Sequence, residues 1–276
     1  MSTPSPGAGE GLPLHTRRRI LHYDGGSFSV REDEVATEYA LTVFVNDQEM
    51  ATVVCTPEYM EDLVIGFLAS EGVIRHMGQV QDLVISRFRG TARVRTSTDV
   101  NFNQAFYNKR YIASCCGKGR QMFYYYNDAH TAKRVDDPVR VQPSQVLTLM
   151  QELEASAGLW HVTGGVHAAG LCTPERLELS RVDIGRHNAL DKLYGHVFRC
   201  GRDVAGRLVA FSGRLSSEVL LKVAKMGAGI VIAKSAPTAL ALDIAEALNI
   251  TTIGFARGQA FHVYTHPWRV EGSLGT

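Results

Sequence analysis

The sequence predicts an α/β core preceded by a smaller β-rich part, and two patterns carry that prediction. Short apolar stretches at residues 208–211, 230–233 and 251–255 alternate with helical patterns at 216–226 and 238–248, the signature of a parallel sheet covered by helices. Before residue 140 the chain instead reads mostly as strands, with residues 39–45 alternating in the β manner. The chain has 276 residues, 45% of them hydrophobic and 21% charged, enough for one large domain or two modest ones. We expect a disordered tail over 1–20, a β-rich part over 21–140 and an α/β core over 141–276.

In chain order, the first 19 residues are rich in Pro, Gly and Ser. Tyr39-Ala40-Leu41-Thr42-Val43-Phe44-Val45 then alternates as a strand, and Asn46-Asp47 turns into a second apolar run over 50–55. Thr56-Pro57-Glu58 offers an N-cap, a first-turn proline and an acid, with Met60, Leu63, Val64, Phe67 and Leu68 at helical spacing before Gly72. Strands follow at 83–88 and 92–96, turning at Arg89-Gly90. A helix spans 144–158 through Val146, Leu147, Met150 and Leu153. A strand at 177–182 leads to Asp183-Ile184-Gly185-Arg186-His187-Asn188, which opens a helix striped by Leu190, Leu193, Val197 and Phe198 and closed by Gly201.

Charge and composition exclude several classes. With 29 basic and 28 acidic residues the formal net charge is +1, so no global field points to nucleic acid or an anionic membrane. Arg17-Arg18-Arg19 is not followed by an apolar signal-peptide core, which predicts a cytoplasmic protein. The most apolar region, 227–248, is broken by Lys234, Pro237 and Asp243, against a span of about 20 residues. Five scattered cysteines, at 55, 115, 116, 172 and 200, make no disulfide framework.

Two of those cysteines stand apart. Ser114-Cys115-Cys116-Gly117-Lys118-Gly119-Arg120 places adjacent thiols among glycines and cations, which favour the reactive thiolate and a flexible backbone. Such flanks are poor core material, whereas Cys55, Cys172 and Cys200 lie in apolar or strand-like contexts that raise a thiol's pKa.

A ligand in a sheet of this kind binds beyond the carboxyl ends of the strands. There the sequence offers Ser212-Gly213-Arg214, Lys234-Ser235 and Ala256-Arg257-Gly258, each a cation beside a small residue, and two of the three precede helices whose amides can hold an anion. A nucleotide or other phosphate ligand fits. Neither GxGxxG nor GxxxxGK[ST] is present, so no dinucleotide fold of the usual type and no P-loop is supported. Thr163-Gly164-Gly165-Val166-His167 and the 183–188 block have the composition of site loops, and both ligand contact and internal hydrogen bonding account for them. A zinc deaminase needs H-x-E and P-C-x-x-C; here Ala169 stands two positions after His167 and no CxxC exists, so no metal ligands are assigned.

Taken together, residues 114–118, Thr163-Gly164-Gly165-Val166-His167-Ala168-Ala169, the 183–192 block, the 212–216 tip and Gly254-Phe255-Ala256-Arg257-Gly258 resemble the FdhD family, the formate dehydrogenase accessory sulfurtransferases. The likeness runs from about Tyr39 onward. It implies a cytidine-deaminase-like three-layer core with a mixed sheet and no zinc, a homodimer, and transfer of sulfur as a cysteine persulfide from a cysteine desulfurase to the molybdenum or tungsten cofactor of formate dehydrogenase. It also implies a site for bis(molybdopterin guanine dinucleotide). The family's cofactor segment falls on Phe255, Ala256, Arg257, Gly258, Gln259 and Ala260, and Arg214, Lys234 and His187 complete the candidate contacts. Many members carry Cys-x-x-Cys where this chain has adjacent thiols. Gly117-Lys118 aligns Cys116 with the second cysteine of that motif, and Cys115 and Cys116 both remain catalytic candidates.

The implied chemistry asks for a thiolate that takes the donor's terminal sulfur, holds it as a persulfide beside Lys118 and Arg120, and presents it to the metal. Release by the adjacent thiol would close a strained small ring and is disfavoured as the main route. The rival reading is a chaperone that binds the guanine dinucleotide, or a thiol-redox regulator, with no sulfur transfer. A thioredoxin-like role is weakened by the missing C-x-x-C.

Overall fold

The structure is a computed structural model and describes residues 12–97 and 132–273, with the backbone of 110–111 and 120–121 between them. The chain opens with a ribbon of two strands, β1 (His15–Asp24) and β2 (Ser27–Ala36), paired in unbroken register. This corrects the expectation of a tail to residue 20. Gly25 and Gly26 have φ of +55° and +102°, the geometry that lets a two-residue turn follow the twist of its strands. Arg17 Nε, on β1, donates to Glu34 on β2 at 2.7 Å, so charges that look like tail composition are cross-strand pairs.

A four-stranded sheet follows, ordered β4-β3-β6-β5, with β3 (Tyr39–Val45), β4 (Gln48–Cys55), β5 (Val80–Ser86) and β6 (Thr91–Thr96). Both residues of the Asn46-Asp47 turn take positive φ, which confirms the two-residue hairpin. β3 and β6 pair in parallel. Leu41, Val43 and Val45 point from β3 into the core, the alternation seen in sequence. The helix expected from Thr56 begins later, as α1 (Met60–Ser70), with Tyr59 in the left-handed region at its N-cap. Thr56 does not cap it: its hydroxyl donates to Asp183 Oδ2 at 3.1 Å, a tertiary bond that outweighs the local one. Two residue pairs, β7 (Arg110–Tyr111) and β8 (Arg120–Gln121), pair antiparallel.

The remainder builds a six-stranded mixed sheet, ordered β10-β9-β11-β12-β13-β14. Its strands are β9 (His167–Cys172), β10 (Leu177–Asp183), β11 (Leu208–Phe211), β12 (Ile230–Ala233), β13 (Thr251–Arg257) and β14 (Ala260–Val263). β11, β12 and β13 are parallel, as the alternation predicts, while β9 and β14 run antiparallel to their neighbours. Between them lie α2 (Pro143–Ser156), α3 (Gly158–Thr163), α4 (Arg186–Arg199), α5 (Ser217–Met226) and α6 (Ala239–Leu248). Val209, Phe211 and Val231 face a core shared with α4, α5 and α6, and their neighbours Leu208, Ala210 and Ile232 face a second core shared with α2. The sheet is therefore covered on both sides. No helix among the described residues is long and apolar enough to cross a membrane.

The larger core continues without interruption into the four-stranded sheet, from Leu41 through α1 to Leu248. The junction is the crossing of α1 and α4. A Cβ added at Gly66 would collide with the backbone carbonyl of Asp191, and one at Gly195 with that of Asp62, so the two backbones touch where neither residue has a side chain. Buried ion pairs flank the crossing. Arg181 holds Asp62 at 2.9 Å beneath the ring of Tyr59, and Lys222 holds Asp191 at 2.5 Å.

Candidate functional site

Because β9 runs against β10 and β11, its first residue lies at the edge where β10, β11, β12 and β13 end. His167 pairs in register with Asp183, and Ala169 with Phe211. Ser212, the first residue past β11, fixes this edge: its hydroxyl accepts from the Ala168 N–H at 2.9 Å and lies 3.3 Å from His167 Nδ1. The next two loops are tied together, since Leu215 N–H donates to Ala236 O and Thr238 N–H to Leu215 O.

A cavity of about 480 Å³ opens here, lined by Glu154, Trp160, Gly165, His167, Ser212 and Lys234 among others. This is within the size range of small-molecule sites. Lys234 Nζ lies 2.7 Å from Glu154 Oε1 and 5.6 Å from the centre of the Trp160 ring. Burial, and next the Arg186 guanidinium, push His167 below the ordinary imidazole range, against a smaller pull from Asp183. At neutral pH it is an uncharged donor and acceptor.

The 183–188 block divides between frame and site. Asp183 is fully committed: Oδ2 meets Lys192 Nζ at 2.7 Å and accepts from the Thr56 N–H at 3.0 Å, while Oδ1 accepts from the Gly185 N–H and from Asn188 Nδ2. Arg186 is not. Its Nε and Nη2 are buried with no hydrogen-bond partner among the described residues. His187, the next residue on α4, lies 3.5 Å from Glu218 in the first turn of α5. Ser216 caps α5, yet its hydroxyl makes no capping bond and is also buried without a partner.

Of the three expected strand-tip cations, Lys234 lines the cavity. Arg214 stands half-buried between Gly213 and Leu215, and Arg257 is exposed, its guanidinium 5.8 Å from the centre of the Phe255 ring. Phe255, Ala256 and Arg257 end β13, Gly258 and Gln259 turn, and Ala260 starts β14, so the segment is a hairpin tip. Phe255 takes φ of +53° and rests its ring 5.1 Å from that of His262, while Ala256 is buried.

Cys115 and Cys116 lie outside the described residues. Cys55 and Cys172 are buried, and burial pushes each thiol up to about 12, as expected of an inert cysteine. Cys200 departs from the expectation: it is exposed, with Sγ 3.8 Å from His196 Nε2. Among the described residues no cluster of three or more His, Cys, Asp or Glu could hold a metal. Sequence reasoning missed Glu154 and Trp160, which reach the edge from α2 and α3 with no motif to announce them. It passed over Arg186 and Ser216 inside blocks it had singled out.

Comparison with known proteins follows the same outline. Residues 36–271 match the FdhD/NarQ family. The chain is 51% identical to the sulfur carrier protein FdhD of Bacillus subtilis over 92% of its own length and 97% of that protein's. It is 45% identical to the sulfur carrier protein FdhD of Listeria innocua, over 92% and 98%. Its fold also matches the crystal structure of a putative formate dehydrogenase accessory protein from Desulfotalea psychrophila, with a TM-score of 0.76 at 23% identity, over 94% of this chain and all of that one. Half the residues shared over nearly the whole length of both chains, and a family match spanning both sheets, mean that the chain belongs to the FdhD/NarQ family.

Proposed function

We propose that this protein carries sulfur as a cysteine persulfide on Cys116 or Cys115, from a cysteine desulfurase to the molybdenum or tungsten cofactor required by formate dehydrogenase. The observation that carries the reading is the 51% identity, over nearly its full length, to a protein named a sulfur carrier. In the loading step the thiolate attacks the terminal sulfur of the donor persulfide, a new S–S bond forms, and the donor cysteine leaves as a thiolate. No net oxidation is needed.

Bis(molybdopterin guanine dinucleotide) is the acceptor substrate in this reading, held at the carboxyl edge of the six-stranded sheet. The donors there suit it, because Arg186 Nε and Nη2 and the Ser216 hydroxyl are buried without acceptors and a phosphate would supply them. The segment 255–260, with Arg214, Lys234 and His187, makes up the remaining contacts. A cytidine-deaminase-like ancestry of the core belongs to the same proposal, supported by a mixed sheet covered on both sides. So do a cytoplasmic location and a homodimer, which the resemblance supports.

The test is mass spectrometry of the protein after incubation with a cysteine desulfurase and cysteine. One added sulfur atom on the peptide containing Cys115 and Cys116, abolished by Cys116→Ala or Cys115→Ala, is the expected result. A protein that binds the guanine dinucleotide but gains no sulfur is a chaperone, and the reading fails.

A further inference from the structure

The geometry points to a phosphoryl-binding subsite where the N-termini of α4 and α5 meet, built by Arg186 and Ser216 and set apart from the β13–β14 hairpin tip. It deepens the proposed reading of this edge as a cofactor site.

Two helices of 14 and 10 residues bring their N-terminal turns together. Their contact is direct: a Cβ on Gly213 would lie 3.4 Å from Arg186 Cβ, and His187 of α4 lies 3.5 Å from Glu218 of α5. Each N-terminus carries a partial positive charge and outward N–H groups. An N-cap serine ordinarily turns its hydroxyl onto the N–H groups of its own helix. Ser216 does not: it is 8% exposed, makes no capping bond, and its oxygen is bonded to nothing among the described residues. Arg186, the first residue of α4, buries Nε and Nη2 with no acceptor. A guanidinium edge of this kind is the fork that grips two oxygens of one phosphate.

The carboxylates nearby do not answer this demand. Asp183 is taken up by Lys192, Thr56, Gly185 and Asn188, and Glu218 faces His187. Buried donors left without acceptors cost stability, and natural proteins keep such groups where a ligand completes them. An oxyanion with several acceptor oxygens satisfies both residues and is favoured by both helix ends, which selects a phosphoryl group over a neutral ligand. Gly213, whose added Cβ would lie 3.4 Å from Arg186 Cβ, directly follows Ser212 of the cavity wall, so the subsite adjoins the cavity lined by Trp160 and Lys234. A ligand held here by a phosphate can extend its organic part into that cavity.

The full-length protein is titrated calorimetrically with inorganic phosphate, pyrophosphate, guanosine diphosphate and guanosine. Wild type binds pyrophosphate and guanosine diphosphate, and Arg186→Gln weakens both by about ten- to a hundredfold. Ser216→Ala weakens both by several-fold, Arg186→Lys restores part of the loss, and guanosine is unaffected by any of them. Because Nε and Nη2 of Arg186 have no hydrogen-bond partner among the described residues, Arg186→Gln is expected to leave the melting temperature unchanged or raise it. Absence of pyrophosphate binding by wild type, equal affinities in wild type and both variants, or a loss confined to guanosine diphosphate overturns the subsite. Should Arg186→Gln fail to fold, the serine variant decides. Persulfide loading is measured separately on wild type, so failure of the sulfur-carrier reading leaves this result standing, and the reverse.

Discussion

Lys192 Nζ sits 2.7 Å from Asp183 Oδ2, and neither side chain is exposed to solvent at all. The lysine also donates to Thr56 Oγ1 at 2.6 Å and to the carbonyls of Thr56 and Val182, so one ammonium ties β4's exit, β10 and α4 together. Removing one partner strands the other charge in the core. Lys192→Met or Asp183→Asn is expected to cost about 3–5 kcal/mol of stability. Urea denaturation of the single variants and of the double variant checks this, and the double variant should lose less than the sum of the two.

The helix crossing makes a second prediction. Gly66→Ala sets a methyl against the carbonyl of Asp191, a backbone atom that cannot swing aside, so the helices must separate. The expected loss is about 1–3 kcal/mol or more. Thermal melting reads it directly. Gly158→Ala, where nothing lies within 4 Å of the added Cβ, is the control and should shift the melting point little.

Thiol chemistry separates the described cysteines. At pH 8 an alkylating reagent should label Cys200 on the native protein and leave Cys55 and Cys172 untouched, as peptide mass spectrometry will show. Both buried thiols have folded values near 12 against 9.0 for the ordinary group, so the stability they contribute is full below pH 9 and is lost as the pH rises towards 12. Denaturation midpoints should therefore fall across that interval, and Cys55→Ala should flatten the fall.

At the hairpin tip, Arg257 is exposed, its guanidinium 5.8 Å from the centre of the Phe255 ring, and under the proposed reading it contacts the ligand. Arg257→Ala is expected to weaken guanosine diphosphate about ten- to a hundredfold, on a charged hydrogen bond of roughly 1.5 to 3 kcal/mol. Its melting temperature should not change. Equal affinity in calorimetry would remove the tip from the site.

The strands and helices between Leu208 and Leu248 were legible because each is decided locally, by a run of four apolar residues or by a serine or threonine just ahead of a helix. β9 was not. His167-Ala168-Ala169-Gly170-Leu171-Cys172 lies inside the sheet between β10 and β11, covered on both faces, so it carries no alternation, and it has no β-branched side chain. The ribbon of β1 and β2 was hidden by its charges, which pair only when the strands meet, although Gly25-Gly26 marked the turn. Thr56 misled because a hydroxyl that could cap a helix found Asp183, 127 residues away, a better acceptor. At the site, Lys234 follows from its position at a strand end and His167 from the glycine-rich composition of 163–167. That Arg186 would be left unsatisfied is a fact about its surroundings, which no motif encodes.

The bare contact of Gly66 with Gly195 also limits how this protein can be recombined. A chimera taking its β-rich segment from one relative and its six-stranded sheet from another must match both glycines, and with them Asp62 to Arg181 and Asp191 to Lys222, or the helices will not seat. Under the proposed reading, any selectivity for donor or recipient in the first part is inherited as one block with the strand-end edge of the second, and exchanges between homologues should succeed only where the seam keeps all six residues.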